Sequence, residues 1–323
     1  MLALGALTLV VCAPGSPGSS TEAQSAMDAL AASLASAAHL PHGSIAAVYD
    51  ETEPGGVRRL ADKNAGLVLA TLPFFLAHEQ DLRLVARLSA IPEGGEALER
   101  WTLVTGKDHP PALDGYLVQS TAGWSKRFVR AAAPKLSHKV EIEPAASILS
   151  SLRRAANGEK VAVLLDGSQS ASMGTLPFAG SLVVVGSSPP MPVAVVATVS
   201  KRIDDARWKE LEGAFLRLTE DRSARSALDG VRMAGFVPVD EKALAAARAA
   251  ASASGKAASG SPGPKGQEGA RSRTRARSRC GPCQSIAGSV RAARLSSSVM
   301  RFSPSFAVAV RSRAWRPRAA ASQ

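Results

Sequence analysis

At 323 residues, 46% of them hydrophobic, the chain can hold one large domain or two ordinary ones and can build a core, which excludes a wholly unstructured polypeptide. The formal net charge of +12 is uneven: residues 251–323 carry 14 of the 39 Lys and Arg residues and, in Glu268, one of the 27 acidic ones. Residues 1–250 are therefore close to neutral, which excludes a body that attracts polyanions over its whole surface.

The apolar run from Met1 has no Lys or Arg before it, and Pro14 directly follows Ala13, where a signal-peptidase site would be poorly served. Val11 before Cys12 also fits poorly with a lipid-attachment signal. Ala6–Cys12 reads instead as a buried strand, with Cys12 a packed small hydrophobe. The turn through Ser19-Ser20-Thr21 leads to a helix with Met27, Leu30 and Leu34 at helical spacing. Any signal peptide is expected upstream of Met1.

Strands are predicted at Ile45–Tyr49, Gly66–Thr71, Leu82–Leu88 and Trp101–Thr105. Between the first two, Pro54-Gly55-Gly56 reads as a turn and Val57–Asp62 as a short helix. After Thr71 a helix opens with Pro73 in its first turn. Alternating helices and apolar strands imply a parallel or mixed sheet covered on both faces, an α/β fold.

The centre of the chain is Leu113-Asp114-Gly115-Tyr116-Leu117-Val118-Gln119-Ser120-Thr121-Ala122-Gly123-Trp124-Ser125. It reads as a short strand ending in hydroxylated residues, after which Trp124 and Phe128 begin a helix. At such a joint the first N–H groups of the helix point into the loop, and Ser120, Thr121 and Ser125 can add hydroxyl donors. The combination suits an oxyanion, and the alternative is a plain N-cap.

Further on, Lys139–Glu143 reads as a strand and Pro144–Asn157 as a helix with Ile148, Leu149 and Leu152 on one face, ended by Gly158. Val161–Leu165 is a buried strand delivering Asp166 at its carboxyl end, as a ligand contact or as a cap before Gly167. Strands follow at Leu182–Val185 and Val193–Val199. Next come a helix with Trp208, Leu211, Phe215 and Leu218 on one face, a shorter helix at Ser223–Leu228, and Gly235-Phe236-Val237-Pro238. An Ala-rich helix from Asp240 is expected to end near Ala250.

The segment from Ala251 is rich in Ser, Ala, Gly, Pro and Arg and is expected to be disordered, since it offers little apolar surface to offset ordering. Its run Arg271-Ser272-Arg273-Thr274-Arg275-Ala276-Arg277-Ser278-Arg279 reads as a phosphate-neutralising arm or as the product of a shifted frame in GC-rich DNA, and the second reading is preferred. Cys280-Gly281-Pro282-Cys283 has redox-pair spacing without the strand and helix that motif needs, and is read as chance.

In order and spacing, these parts resemble the type-two periplasmic solute-binding proteins of ABC importers, in the phosphate/phosphite/phosphonate-binding branch. The likeness rests on Ala6–Thr21, Ile45–Tyr49 with Asp50 and Glu51, Ala70-Thr71-Leu72-Pro73-Phe74-Phe75, Leu113–Ser125, Asn157–Val163 and Gly235–Pro238. It implies a two-lobed fold with two crossovers, closing like a venus flytrap on a ligand in the cleft. Lobe one would be 6–103 with 190–250, and lobe two 104–189, leaving 251–323 as the tail. The crossovers would fall near Trp101–Lys107 and Ser187–Pro192.

The resemblance further implies a monomeric, periplasmic transport protein that is not an enzyme and delivers a small phosphorus oxyanion to an ABC permease, without metal or cofactor. Ser120, Thr121, Ala122, Gly123 and Ser125 would grip the anion. Tyr49, Thr71 and Ser19, Ser20 and Thr21 would contribute from the other lobe, and Asp166 would accept from a protonated ligand oxygen or meet an amine.

Two other classes compete. An α/β hydrolase would need a nucleophile elbow, yet no G-x-S-x-G, H-E-x-x-H or Walker loop is present. His39 and His42 flank Pro41 without making a metal site, and His78 reads as a helix-packing residue, although a Ser120–His78–Asp166 triad can be drawn. A polyanion-binding protein acting through its basic tail would lose binding when 251–323 is removed. No specific nucleic-acid partner is expected.

Overall fold

The computed structural model describes residues 7–15 and 20–259. Predictions for Ser19, the Arg-rich run and Cys280–Cys283 fall outside these residues. In chain order the elements are β1 (Leu7–Cys12), α1 (Ser20–Ala37), β2 (Ile45–Asp50), α2 (Glu53–Ala61), β3 (Ala65–Thr71), α3 (Leu72–His78), β4 (Leu84–Pro92), β5 (Leu98–Glu99), β6 (Thr102–Gly106), β7 (Leu117–Ser120), α4 (Lys126–Ala132), β8 (Glu141–Pro144) and α5 (Ile148–Ala156). They continue with β9 (Val161–Leu165), α6 (Gly167–Met173), a 3-10 turn at Ala179–Ser181, β10 (Leu182–Ser187), β11 (Met191–Pro192), β12 (Ala194–Val199), α7 (Asp205–Arg217), α8 (Arg222–Gly230), β13 (Met233–Pro238) and α9 (Glu241–Ser259).

The strands form a six-stranded sheet ordered β13-β4-β12-β3-β1-β2 and a five-stranded sheet ordered β10-β6-β9-β7-β8. Both are mixed. β1 pairs in parallel with β2 and β3, whereas β12 runs antiparallel to β3 and β4. In the second sheet β7 is parallel to β8 and β9, and β6 is antiparallel to β9 and β10. The chain passes from the first sheet to the second around Trp101 and returns around Ser188. Those passages are tied together: Ser188 N donates to Trp101 O at 2.8 Å and Trp101 N to Ser188 Oγ at 2.9 Å. Beside them, β5 and β11 form a two-stranded ribbon in which Glu99 faces Met191.

Alternation along β1 distributes its side chains to two cores. Leu9 and Val11 join Met27, Leu30 and Leu34 of α1 and Trp208, Leu211 and Phe215 of α7 on one face. Val10 and Cys12 point the other way, into a cluster that also holds Val118, Ile142, Ala162 and Leu164 of the second sheet. Phe74 and Phe75 of α3, Phe128 and Val129 of α4, Trp101, and Leu244 and Ala247 of α9 belong to that same cluster. One apolar body therefore underlies both sheets. The outer face of the second sheet packs Val163 and Leu165 on Leu152 and Ala155 of α5.

Three expectations need correction. The Pro54-Gly55-Gly56 segment is the first turn of α2, not a turn before it. Thr52 caps that turn by accepting from Gly55 N, and both glycines are buried where a Cβ would strike Asp50 or the Cys12 Sγ. Leu149 is an exposed residue of α5, because Ser147 caps the helix and turns Leu152 and Ala155 inward. The last helix does not stop near Ala250; Ala251 is 2% exposed and its carbonyl accepts from Arg127 Nε of α4 at 2.8 Å. Among the described residues no helix is long and apolar enough to cross a membrane.

Candidate ligand-binding site

Ligands in open α/β sheets bind outside the carboxyl ends of parallel strands, where the following helices begin. Here those ends are Cys12, Asp50 and Thr71 in the first sheet, and Ser120, Pro144 and Leu165 in the second. The loops after β1 and β7 meet directly: a Cβ built on Gly15 would lie 2.2 Å from the Thr121 carbonyl oxygen. The two strand-loop-helix joints singled out in the sequence therefore face each other.

Ser120 is fully buried. Its hydroxyl donates to Leu164 O at 2.9 Å, tying β7 to β9, and accepts from Ala122 N at 3.2 Å. Gly123 N donates to Ser120 O and Ser125 N to Ala122 O, so the amides of Ala122, Gly123 and Ser125 are bonded within the turn. Gly123 is required there, since a Cβ would lie 2.0 Å from the Glu143 carbonyl oxygen. Helix α4 begins at Lys126, and the Ser125 hydroxyl makes no capping bond. Thr121 is half-buried beside Gly15.

Thr71 caps α3 with its backbone, while its Oγ1 is buried without a hydrogen-bond partner. The indole Nε1 of Trp124, in the loop after β7, is in the same condition. Buried donors seldom stay unpaired, because each forfeits its hydration without replacement. Trp124 belongs to the central motif, where its spacing to Phe128 signals a helix and not a ligand donor. Tyr49 packs among the α1-side residues, and burial pushes its phenol pKa up, with the charges of Glu51 and Asp50 acting in the same direction. Ser20 and Thr21 lie in the first turn of α1.

Asp166 occupies the N-cap of α6, where Oδ1 accepts from Gln169 N at 2.8 Å and the Gln169 side chain returns a bond to Asp166 N. This matches the capping alternative. Glu99, from the ribbon between the sheets, accepts from Gly167 N at 2.8 Å. Burial raises its pKa to about 7, helped by the Asp166 charge and opposed by the Gly167 N–H and Trp101. Burial likewise raises Asp166, against the bonds it accepts from the Gln169 and Ser168 amides. Sequence reasoning passed over Glu99, because no local pattern brings residue 99 to residue 167.

His78 sits apart, with Nε2 2.8 Å from Glu53 Oε1 but off the axis of a hydrogen bond, and its ring 4.8 Å from that of Phe74. With Ser120 bonded to Leu164 and Asp166 to Gln169, the three residues do not form a relay. Among the described residues no group of three or more His, Cys, Asp or Glu side chains is arranged to hold a metal ion. Cys12 is buried, and desolvation, aided by Asp50, drives its thiol pKa upward, as befits a packed hydrophobe. A cavity of about 280 Å³ lies away from all of these residues, between β10 and the segments flanking β7 and α4.

No family model and no curated protein matches the sequence. Solved structures do match the fold. A Xanthomonas citri protein, XAC2383, solved bound to ATP, superposes with a TM-score of 0.61 at 14% identity over 78% of this chain and 98% of that one. The binding-protein component of a Pseudomonas aeruginosa ABC phosphonate transporter gives 0.56 at 12% identity, over 80% and 91%. PhnD1 from Prochlorococcus marinus, solved with methylphosphonate, gives 0.51 at 12% identity, over 78% and 98%. The fold is thus the two-lobed, type-two periplasmic-binding-protein architecture. At these identities the likeness is one of fold.

Proposed function

We propose that this chain is an extracytoplasmic solute-binding protein that captures a phosphorus oxyanion, a phosphonate, phosphite or phosphate, between two lobes and presents it to an ABC permease. The lobes would be 6–103 with 190–250 and 104–189, turning about the Trp101 and Ser188 passages. The protein would act as a periplasmic monomer and bind rather than transform its ligand.

The observation that carries this reading is that two of the five buried side-chain polar atoms without a partner among the described residues, Thr71 Oγ1 at the end of β3 and Trp124 Nε1 in the loop after β7, belong to the strand-loop-helix joints of different sheets. A ligand oxygen is the kind of partner each lacks. Opening would part Gly15 from Thr121 and expose the loop carrying Thr121, Ala122, Gly123 and Ser125, with Ser120 holding that loop to β9. Ser20 and Thr21, in the first turn of α1, would complete the site from the first lobe. Asp166 and Glu99 favour a ligand that brings a proton, such as a hydrogen-phosphonate or hydrogen-phosphite monoanion, since a carboxylate repels a bare dianion.

A thermal-shift panel of phosphate, phosphite, methylphosphonate, sulfate and acetate tests this. A ligand bound only by the folded state must raise the Tm. The expected result is a saturable rise with a phosphorus oxyanion that is reduced in Thr71→Val, which removes the donor at constant shape, and in Trp124→Phe, which removes the donor and keeps an aromatic ring. No rise with any phosphorus oxyanion overturns the reading.

A further inference from the structure

The 280 Å³ cavity beside the edge strand β10 lies outside the interlobe site. Its wall includes Leu103 of β6, Leu113 and Leu136 from the segments flanking β7 and α4, and Val185 of β10. The register of β10 on β6 shifts between Val184 and Gly186, leaving Val185 without a paired residue. Such a bulge re-aims side chains and opens the ladder locally, and bulges concentrate beside functional sites. Gly186 borders the cavity, and a Cβ built there would meet nothing within 4 Å.

The polar wall holds one cationic side chain, Lys135, beside His109, Ser137 and Ser187, and no Asp or Glu borders the cavity. Neighbouring polar groups are already engaged. Lys139 Nζ lies 3.1 Å from Asp114 Oδ2, the Ser137 hydroxyl donates to Asp114, and Arg130 Nη1 donates to Ser137 O at 3.1 Å. Those contacts brace the segment that carries Lys135, whereas Lys135 itself has no ion-pair or hydrogen-bond partner among the described residues. His109 Nδ1 lies 2.6 Å from Pro110 O, so that nitrogen carries the proton and the ring is held by its own chain.

An apolar pocket with a few polar groups at its edge binds molecules that are apolar at one end and polar at the other, and this volume lies at the small end of ligand pockets. We infer that the β10 cavity is a second binding site, for a small amphipathic monocarboxylate whose chain lies on Leu103, Leu113, Leu136 and Val185 and whose carboxylate meets Lys135. The site is independent of the interlobe ligand and stands whether or not that ligand is a phosphorus oxyanion.

Isothermal titration of the full chain with hexanoate tests the assignment, with hexan-1-ol and hexylamine as probes of the same length. The expected result is saturable binding of hexanoate, at least tenfold weaker binding of the alcohol, and none of the amine. Lys135→Glu, at an exposed position, is expected to weaken hexanoate at least tenfold. Gly186→Leu, which grows into open space, is expected to abolish it. Both variants keep the Tm of the parent and its thermal shift with phosphorus oxyanions. Absence of saturable hexanoate binding overturns the proposal, as does alcohol binding equal to hexanoate or an affinity unchanged in both variants.

Discussion

Gly15 lies against the backbone of Thr121 so closely that any side chain at residue 15 would enter the Thr121 carbonyl, 2.2 Å from a Cβ. Gly15 also has φ of +83°, a conformation in which L side chains are strained. Gly43 has nearly the same φ, +79°, with nothing within 4 Å of its Cβ position. The pair separates contact from strain. Gly43→Ala should cost about 1 kcal/mol, the left-handed penalty alone, and Gly15→Ala more. Denaturant melts of both variants check this, and equal losses would mean that the two loops are not pressed together.

Glu99 gives the stability a pH dependence with a definite sign. Its folded pKa of about 7 stands above the ordinary 4.5, so between those values the folded chain holds more protons than the unfolded one. The stability from that proton is fully present below about 4.5 and is lost as the pH rises through about 7. Glu99→Gln keeps an acceptor for Gly167 N without the charge. Its Tm should lie near the parent at pH 5 and above it at pH 8, by the equivalent of roughly 1–3 kcal/mol. Parallel Tm curves from pH 5 to 8 would contradict this.

Asp166 separates capping from ligand contact. Asp166→Asn preserves an oxygen for Gln169 N and should leave stability within a few tenths of a kcal/mol, whereas Asp166→Ala removes the capping box and should cost about 1 kcal/mol. If the site also accepts a proton from the ligand, Asp166→Asn should weaken binding without lowering the Tm of the free protein. Titration and melting of the same samples distinguish these effects.

The true length of α9 can be tested by truncation. Ending the chain at residue 250 removes Ala251, buried at 2% exposure, and the carbonyl that Arg127 Nε meets at 2.8 Å. A 1–250 chain should melt several degrees below a 1–259 chain. Identical Tm values would show that the last helical turns add nothing to the core.

Much of the fold was legible because its strands are short apolar runs bounded by turn residues. Leu9 and Val11 against Val10 and Cys12 show the period of two, and Met27, Leu30 and Leu34 the helical period. The errors share a cause: tertiary packing overrode local chemistry. Gly55 and Gly56 look like a turn but are helical, because Asp50, Cys12 and Phe74 leave no room for side chains. Ala-rich sequence past Ala250 looks like the start of a tail until α4 supplies Arg127. At the site, the two joints were visible as Ser and Thr after apolar runs. Glu99 beside Gly167, and the unpaired state of Trp124 Nε1 and Thr71 Oγ1, depend on contacts between distant segments and left no local signal.

The central claim, that an oxyanion is held where the loops after β1 and β7 meet, is tested most directly by NMR titration of the ¹⁵N-labelled full chain with methylphosphonate and with phosphite. The account predicts saturable shifts of the Trp124 indole N–H and of backbone amides from Thr121 to Ser125, together with those around Gly15 and Thr71. An absence of shifts, or shifts confined to segments away from both loops, would contradict it.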